Sequence, residues 1–79
     1  MQYVYILRSL SDPDRHYVGT THDLRERLDR HNAGIVSHTA KYGPWQIQTY
    51  LAFEDRERAL AFEKYLKSAS GRAFSRKRL

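Results

Sequence analysis

Apolar and aromatic side chains run almost without interruption through residues 2–10, Gln-Tyr-Val-Tyr-Ile-Leu-Arg-Ser-Leu. Tyr3, Tyr5 and Leu7 share one face of an extended segment, and Val4 and Ile6 share the other. This density of aromatic and β-branched residues predicts a first strand. Ser11-Asp12-Pro13-Asp14 supplies turn chemistry, and residues 15–20 return as a second strand. The two are expected to form an antiparallel hairpin with a connection longer than two residues, which brings Tyr5 and Tyr17 onto neighbouring strands.

The second strand is expected to lead straight into a helix. Gly19 would permit a tight turn, Thr20 or Thr21 would cap, and Asp23 would lie in the first turn; Asn32 marks the end, with Gly34 just beyond. At about 100° per residue, Leu24, Leu28 and His31 fall in one narrow sector with Arg27 at its edge. Arg25, Glu26, Asp29 and Arg30 point elsewhere. Arg27 and His31, four apart, are therefore neighbours at the border of the buried face. Taken singly, one reads as a snorkelling rim arginine and the other as a satisfied core histidine.

Residues 35–44 show no clean period and read as a loop with at most one helical turn, ended by Gly43-Pro44. In the third strand, 45–53, Trp45, Ile47, Thr49, Leu51 and Phe53 alternate with Gln46, Gln48, Tyr50 and Ala52, which predicts one core face. Asp55 opens a second helix, 55–68, with Ala59, Phe62 and Leu66 as its buried stripe. Glu63 falls on the same side. An inward carboxylate requires a partner: a salt bridge with an arginine, a cap to a loop, or a divalent cation completed by water. Ser68-Ala69-Ser70-Gly71 is expected to break the helix, leaving Arg72 to Leu79 as a short terminal helix or a mobile tail. The order of elements predicts a single α+β domain over residues 1–79, a small, mainly antiparallel three-stranded sheet flanked by helices.

Composition narrows the compartment and the partner. The 79 residues include no cysteine, so disulfides and thiolate metal sites are excluded and a reducing cytoplasm is the default expectation. The first residues carry neither a basic leader nor a long apolar run, so a soluble protein with no membrane span is expected. Fourteen Lys and Arg against nine Asp and Glu give a net charge of +5. From Lys64 to Leu79 the basic residues Lys64, Lys67, Arg72, Arg76, Lys77 and Arg78 occur with no acidic one between them. Such a segment suits a polyanion, most often nucleic acid, although an isolated basic cluster is as commonly a solvated end.

Together, Tyr3-Val4-Tyr5, Tyr17-Val18-Gly19, Arg27 with His31 on the following helix, Asn32 directly after it, Glu63 on a later helix, and the closing Leu66-Lys67-Ser68-Ala69-Ser70-Gly71-Arg72-Ala73-Phe74 resemble the GIY-YIG nuclease superfamily. The resemblance spans nearly the whole chain and is strongest to small stand-alone bacterial members. It implies catalytic roles for Tyr5, Tyr17, Arg27, His31 and Glu63. The tyrosines would line the site, one serving as general base; Arg27 would contact the scissile phosphate; His31 would assist the nucleophile or the leaving group; Glu63 would bind Mg²⁺ or Mn²⁺. Arg25 and the six basic residues from Lys64 to Arg78 are the candidate nucleic-acid contacts.

The chemistry of phosphodiester cleavage asks for the same set, because charge must be stabilised at the non-bridging oxygens and a base is needed near neutrality. A tyrosine with a pKa of about 10 fills the second role only beside a cation that lowers it. The chain departs from the family at Tyr3, where the first block has its naming glycine, at Thr20, where a lysine is common, and at Ser75, where some members have an asparagine. The resulting expectation is a metal-dependent endonuclease acting on DNA, or on RNA, in repair, recombination or processing, as a monomer or weak homodimer. Two alternatives stand beside it: a nucleic-acid-binding module of the same fold with little turnover, motivated by Thr20 and Ser75, and an adaptor that docks a protein through Tyr42, Trp45 and Tyr50. His38, in the loop, reads as a plain surface histidine.

Overall fold

The uninterrupted apolar run at the start of the chain forms β1 (Gln2–Ser9), and because both its faces are apolar it is the central strand of the sheet. In the computed structural model, which describes residues 1–79, β2 (His16–Thr21) and β3 (Trp45–Phe53) flank it, both antiparallel, in the order β2-β1-β3. The expected hairpin is present, with Tyr5 opposite Gly19 on one side and opposite Tyr50 on the other.

Each face of β1 nucleates its own core. Val4 and Ile6 pack with Ala59 and Leu66, bordered by Val18, Phe53, Phe62 and Leu79. Tyr5 and Leu7 pack with Trp45, bordered by Tyr17, Leu24, Leu28, Tyr42 and Ile47. The second face is covered by α1 (Leu24–Asn32), the first by α2 (Arg56–Leu66) and α3 (Ala69–Arg78).

The single core face expected of the third strand is not what forms. Ile6 pairs with Thr49 but Leu7 pairs with Ile47, so Gln48 is an extra residue in β3. A bulge of this kind shifts the alternation by one position and sends the two halves of a strand to opposite faces. Trp45 and Ile47 therefore join the α1 core, whereas Thr49, Leu51 and Phe53 turn to the α2 side. The five residues keep their spacing in sequence and divide between two cores.

Three further expectations are corrected at element ends. Gly19 is not at a turn but inside β2, where it serves close approach instead. Thr20 and Thr21 are strand residues, and the cap of α1 is Asp23, whose carboxylate accepts from Glu26 N–H at 3.1 Å. Thr21 supports that cap by accepting from Asp23 N–H at 3.1 Å. The helix ends as expected: Gly34, at φ 76°, follows it in the left-handed region that favours glycine. The break after α2 is confined to Lys67 and Ser68, and Ser68 immediately caps α3 by accepting from Gly71 N–H. Gly71 lies within α3 because any Cβ there would collide with the Tyr65 carbonyl of α2. The closing residues are thus a helix packed on its neighbour, and the loop after α1 contains one 3-10 turn, Ala40–Tyr42.

Candidate functional site

The α1 face carries a chain of buried polar groups. It begins at Gly19, where a Cβ would stand 2.5 Å from the Tyr5 hydroxyl oxygen, so the missing side chain is the space that the phenol occupies. From there Tyr5 Oη lies 3.0 Å from His31 Nε2, and His31 Nδ1 lies 2.7 Å from Thr39 Oγ1. Thr39 in turn donates to the Val36 carbonyl at 3.3 Å. Because the Thr39 proton is committed to a carbonyl, Nδ1–H must donate to Thr39, and Nε2 must accept from the Tyr5 hydroxyl. Neutral His31 in a single tautomer satisfies every contact.

Burial enforces that state. Tyr5 is 2% exposed and His31 1%. The Tyr5 pKa is pushed up to about 12, first by burial and then by the neighbouring Tyr17; Arg27 opposes this through its charge and a hydrogen bond, and Glu63 adds to it. His31 is held below its ordinary value of 6.5, again by burial first and by the Arg27 charge second. For Tyr5 in the protein by itself, desolvation of the phenolate outweighs the attraction of Arg27. Tyr17 completes the cluster, half-buried, with its ring 4.9 Å from that of His31 and 6.3 Å from that of Tyr5.

Arg27 lies one helical turn before His31, as the periodicity predicts. Its Nε is buried and has no hydrogen-bond partner. An unpaired buried donor on a cation costs stability unless a partner completes it, and Arg8 Nε is in the same state.

Glu63 projects from α2 with its side chain 19% exposed and pairs with Lys67 at 3.1 Å, not with an arginine. Its influence on Tyr5 puts its charge within electrostatic reach of the phenol. No group of three or more His, Cys, Asp or Glu side chains converges anywhere in the chain. Both His31 nitrogens are already engaged, so that ring is not free to ligate an ion. A cation held here would rest on Glu63 alone among protein groups. That set suits a hard ion such as Mg²⁺, which binds through one or two carboxylates plus water and substrate phosphate.

Sequence reasoning assigned no supporting role to two residues that hold the site. Thr39 fixes the His31 tautomer, and its carbonyl accepts from Trp45 Nε1–H at 2.9 Å. Asn32 clamps the Trp45 backbone with two hydrogen bonds, of 3.0 and 2.6 Å, and so pins the end of α1 to the start of β3. Of the aromatics considered for docking, Trp45 is buried, Tyr42 is half-buried beneath the Arg15 guanidinium at 3.8 Å, and Tyr50 alone is exposed. The adaptor surface is therefore not assembled. His38 is an exposed side chain in the loop.

The basic residues do not form one patch. Lys67, Arg72 and Arg76 line a groove of about 750 Å³ beside Tyr17 and Val18. Arg25, Lys64, Lys77 and Arg78 are exposed outside it. No helix is long and apolar enough to cross a membrane.

Comparison with known proteins gives a consistent assignment. The profile of the GIY-YIG catalytic domain matches residues 1–78. The chain is 40% identical over 73 residues to a structure-specific endonuclease subunit SLX1 of Candida dubliniensis, covering 84% of this chain and 26% of that protein. A second SLX1, from Malassezia globosa, is 41% identical over 64 residues and is covered to 14% of its length. A UPF0213 protein of Clostridium perfringens is 34% identical over 68 residues, covering 85% of this chain and 71% of that protein. The solution structure of a UPF0213 protein from Bacillus halodurans superposes with a TM-score of 0.56 at 31% identity, over 96% of this chain and 81% of that one. The chain thus spans about a quarter or less of the SLX1 relatives and most of the UPF0213 ones.

Proposed function

This chain belongs to the GIY-YIG catalytic-domain family, a family of nucleases, and on that premise we propose that it is a divalent-metal-dependent endonuclease that hydrolyses phosphodiester bonds of DNA. The observation that carries the reading is the meeting of Arg27, with its unpaired buried Nε, and the hydrogen-bonded Tyr5–His31 pair, within reach of the Glu63 charge.

Each residue takes a role that its environment supports. Arg27 offers an unfilled N–H to a non-bridging phosphate oxygen and strengthens that contact as charge builds there in the transition state. Glu63, released from Lys67, would hold a hard cation such as Mg²⁺ or Mn²⁺, which would supply Lewis-acid stabilisation of the phosphate. Tyr17, at the open rim of the ring cluster, orients the attacking water. Tyr5 stays protonated, so it does not act as a free phenolate. Its oxygen accepts a hydrogen bond from the attacking water while its hydroxyl donates to neutral His31 Nε2; the new P–O bond forms as the bond to the leaving oxygen breaks, the proton released by the water passes to solvent, and the leaving oxygen takes one from solvent. Lys67, Arg72 and Arg76, with Arg25, Lys64, Lys77 and Arg78 at longer range, neutralise flanking phosphates. Relatives named as structure-specific endonuclease subunits support a substrate selected by its structure; a place in DNA repair or recombination, in the cytoplasm, is part of the same proposal.

The test is a cleavage assay of the wild type and Glu63→Ala on labelled duplex, branched and single-stranded DNA and on RNA, with Mg²⁺, Mn²⁺ or EDTA. Metal-dependent cutting by the wild type alone is expected. One observation favours a second reading, a binder without turnover: Tyr5 at about 12 is chemically quiet at neutral pH. Salt-sensitive binding by both proteins, with no product in any metal, selects that reading and ends the enzymatic one.

A further inference from the structure

Of the four ion pairs in the structure, one differs from the rest. The carboxylates of Asp12, Glu26 and Asp55 stand about half exposed and meet their arginines at 3.5, 3.5 and 3.8 Å. Glu63 is only 19% exposed and meets the Lys67 ammonium at 3.1 Å. An exposed carboxylate is solvated by water and gains little from a neighbouring cation. One that has lost most of its water depends on the cation that faces it.

The chain around Lys67 keeps that cation at hand. Its backbone N–H closes α2 on the Glu63 and Lys64 carbonyls, both at 3.2 Å, and Ser68 caps α3 at once. Gly71 then seats α3 against the Tyr65 carbonyl, where no side chain fits. The Lys67 backbone is therefore fixed, and its side chain alone is free to move. Glu63 precedes it by four residues, the order that suits a glutamate–lysine pair on one helix. Turned the other way, the ammonium would stand on the groove wall beside Arg72 and Arg76 and meet like charges. Lys64, next to Glu63 in sequence, is exposed and belongs to none of the four ion pairs.

We propose that Lys67 is a positioning residue for the metal carboxylate: its ammonium occupies Glu63 until a divalent cation displaces it, and this competition sets the cation concentration at which the site fills. This rests on the nuclease reading above, in that Glu63 is taken as the group that holds the ion. The consequence runs against the usual effect of losing a site residue. Removing Lys67 removes a competitor, so the site fills at a lower cation concentration. A lysine that only stabilised α2 would leave the cation affinity unchanged when lost, and one that held Glu63 in its binding geometry would lower it.

The experiment titrates Mg²⁺ into the full chain without DNA and follows the backbone amide resonances of Glu63 and its α2 neighbours by NMR, which also reports whether each variant keeps its fold. The variants are Lys67→Met, Lys67→Arg, Lys64→Met and Glu63→Gln. Lys67→Met is expected to tighten Mg²⁺ binding about two- to fivefold, the scale of a partly exposed ion pair. Lys67→Arg keeps the competing charge and is expected to stay near the wild type. Lys64→Met removes the same charge one residue from Glu63 without breaking a pair, and a change of less than about 1.5-fold is expected at physiological salt. Glu63→Gln is expected to abolish binding. Unchanged or weaker binding in Lys67→Met, or equal gains from Lys67→Met and Lys64→Met, overturns the proposal. Resonances that move alike in the wild type and Glu63→Gln overturn it together with the metal site. Cleavage is read separately: the expected shift in affinity without any cutting of DNA removes the nuclease reading and leaves the role of Lys67 in place.

Discussion

The two faces of the sheet are built from one strand and do opposite things. On the α2 face, Val4 and Ile6 meet Ala59 and Leu66 with no polar group among them, and Phe53, Phe62, Tyr65 and Phe74 extend the packing outward through ring contacts of 5.7 to 6.5 Å. On the α1 face, Tyr5, Leu7 and Trp45 share their core with His31 and Thr39, and each buried polar group of that chain has a partner. The first face can tolerate changes of shape, because it depends on area. The second depends on direction, since a hydrogen bond lost in a dry site leaves the full desolvation cost of its partner. The only side-chain nitrogens or oxygens buried without a partner are Arg8 Nε and Arg27 Nε, and the latter belongs to the helix that covers this second face.

The contrast breaks most visibly in activity. Arg27→Ala is expected to lower the cleavage rate by roughly 10² to 10³, the usual effect of removing one preorganised donor, with an unchanged melting temperature; an unaltered rate removes Arg27 from the site. Leu66→Ala, on the other face, should cost about 2–5 kcal/mol in urea unfolding and leave kcat of the folded fraction near that of the wild type. If kcat falls with stability, the two faces are not separable.

Gly19→Ala sharpens the comparison, because its new methyl group enters the site and not the opposite core. Overpacking against the Tyr5 hydroxyl is expected to cost about 1–3 kcal/mol and to disturb the His31 ring resonances; full retention of both would mean that the phenol yields freely. Thr39→Val, nearly isosteric, strands His31 Nδ1–H at a cost of about 1–3 kcal/mol. Nitrogen NMR of the imidazole should show the single tautomer replaced by a mixture.

The smallest effect is a pH dependence confined to the α1 face. His31 is held below its ordinary pKa of 6.5 in the folded state, so the unfolded chain binds the proton more readily. The stability it confers is fully present above pH 6.5 and declines as the pH falls below that value. His31→Gln should flatten this slope between neutral and mildly acidic pH, measured by urea unfolding, whereas Leu66→Ala should leave it in place.

Local pattern was enough for much of this molecule. The aromatic and β-branched run of residues 2–10 specified a strand, the spacing of Leu24, Leu28 and His31 specified one face of a helix, and Arg27 and His31 emerged as neighbours from helical geometry alone. The acidic and turn residues that open α2 were equally legible, because caps act over a few residues. Three things were not. Strict alternation over residues 45–53 concealed the bulge at Gln48, since the pattern records which residues alternate and not where the pairing partner skips one. The protonation of Tyr5 and His31 depended on how much water the fold removes, a quantity with no local signature. The partners of His31 and Trp45, namely Thr39 and Asn32, were set by side chains meeting across loops and elements. The sequence by itself determined the elements and the residue types available to the site. Tertiary structure decided which side chains are dry, which proton sits on which atom, and which cations line a groove, because desolvation and hydrogen-bond direction arise only when segments distant in the chain close on one another.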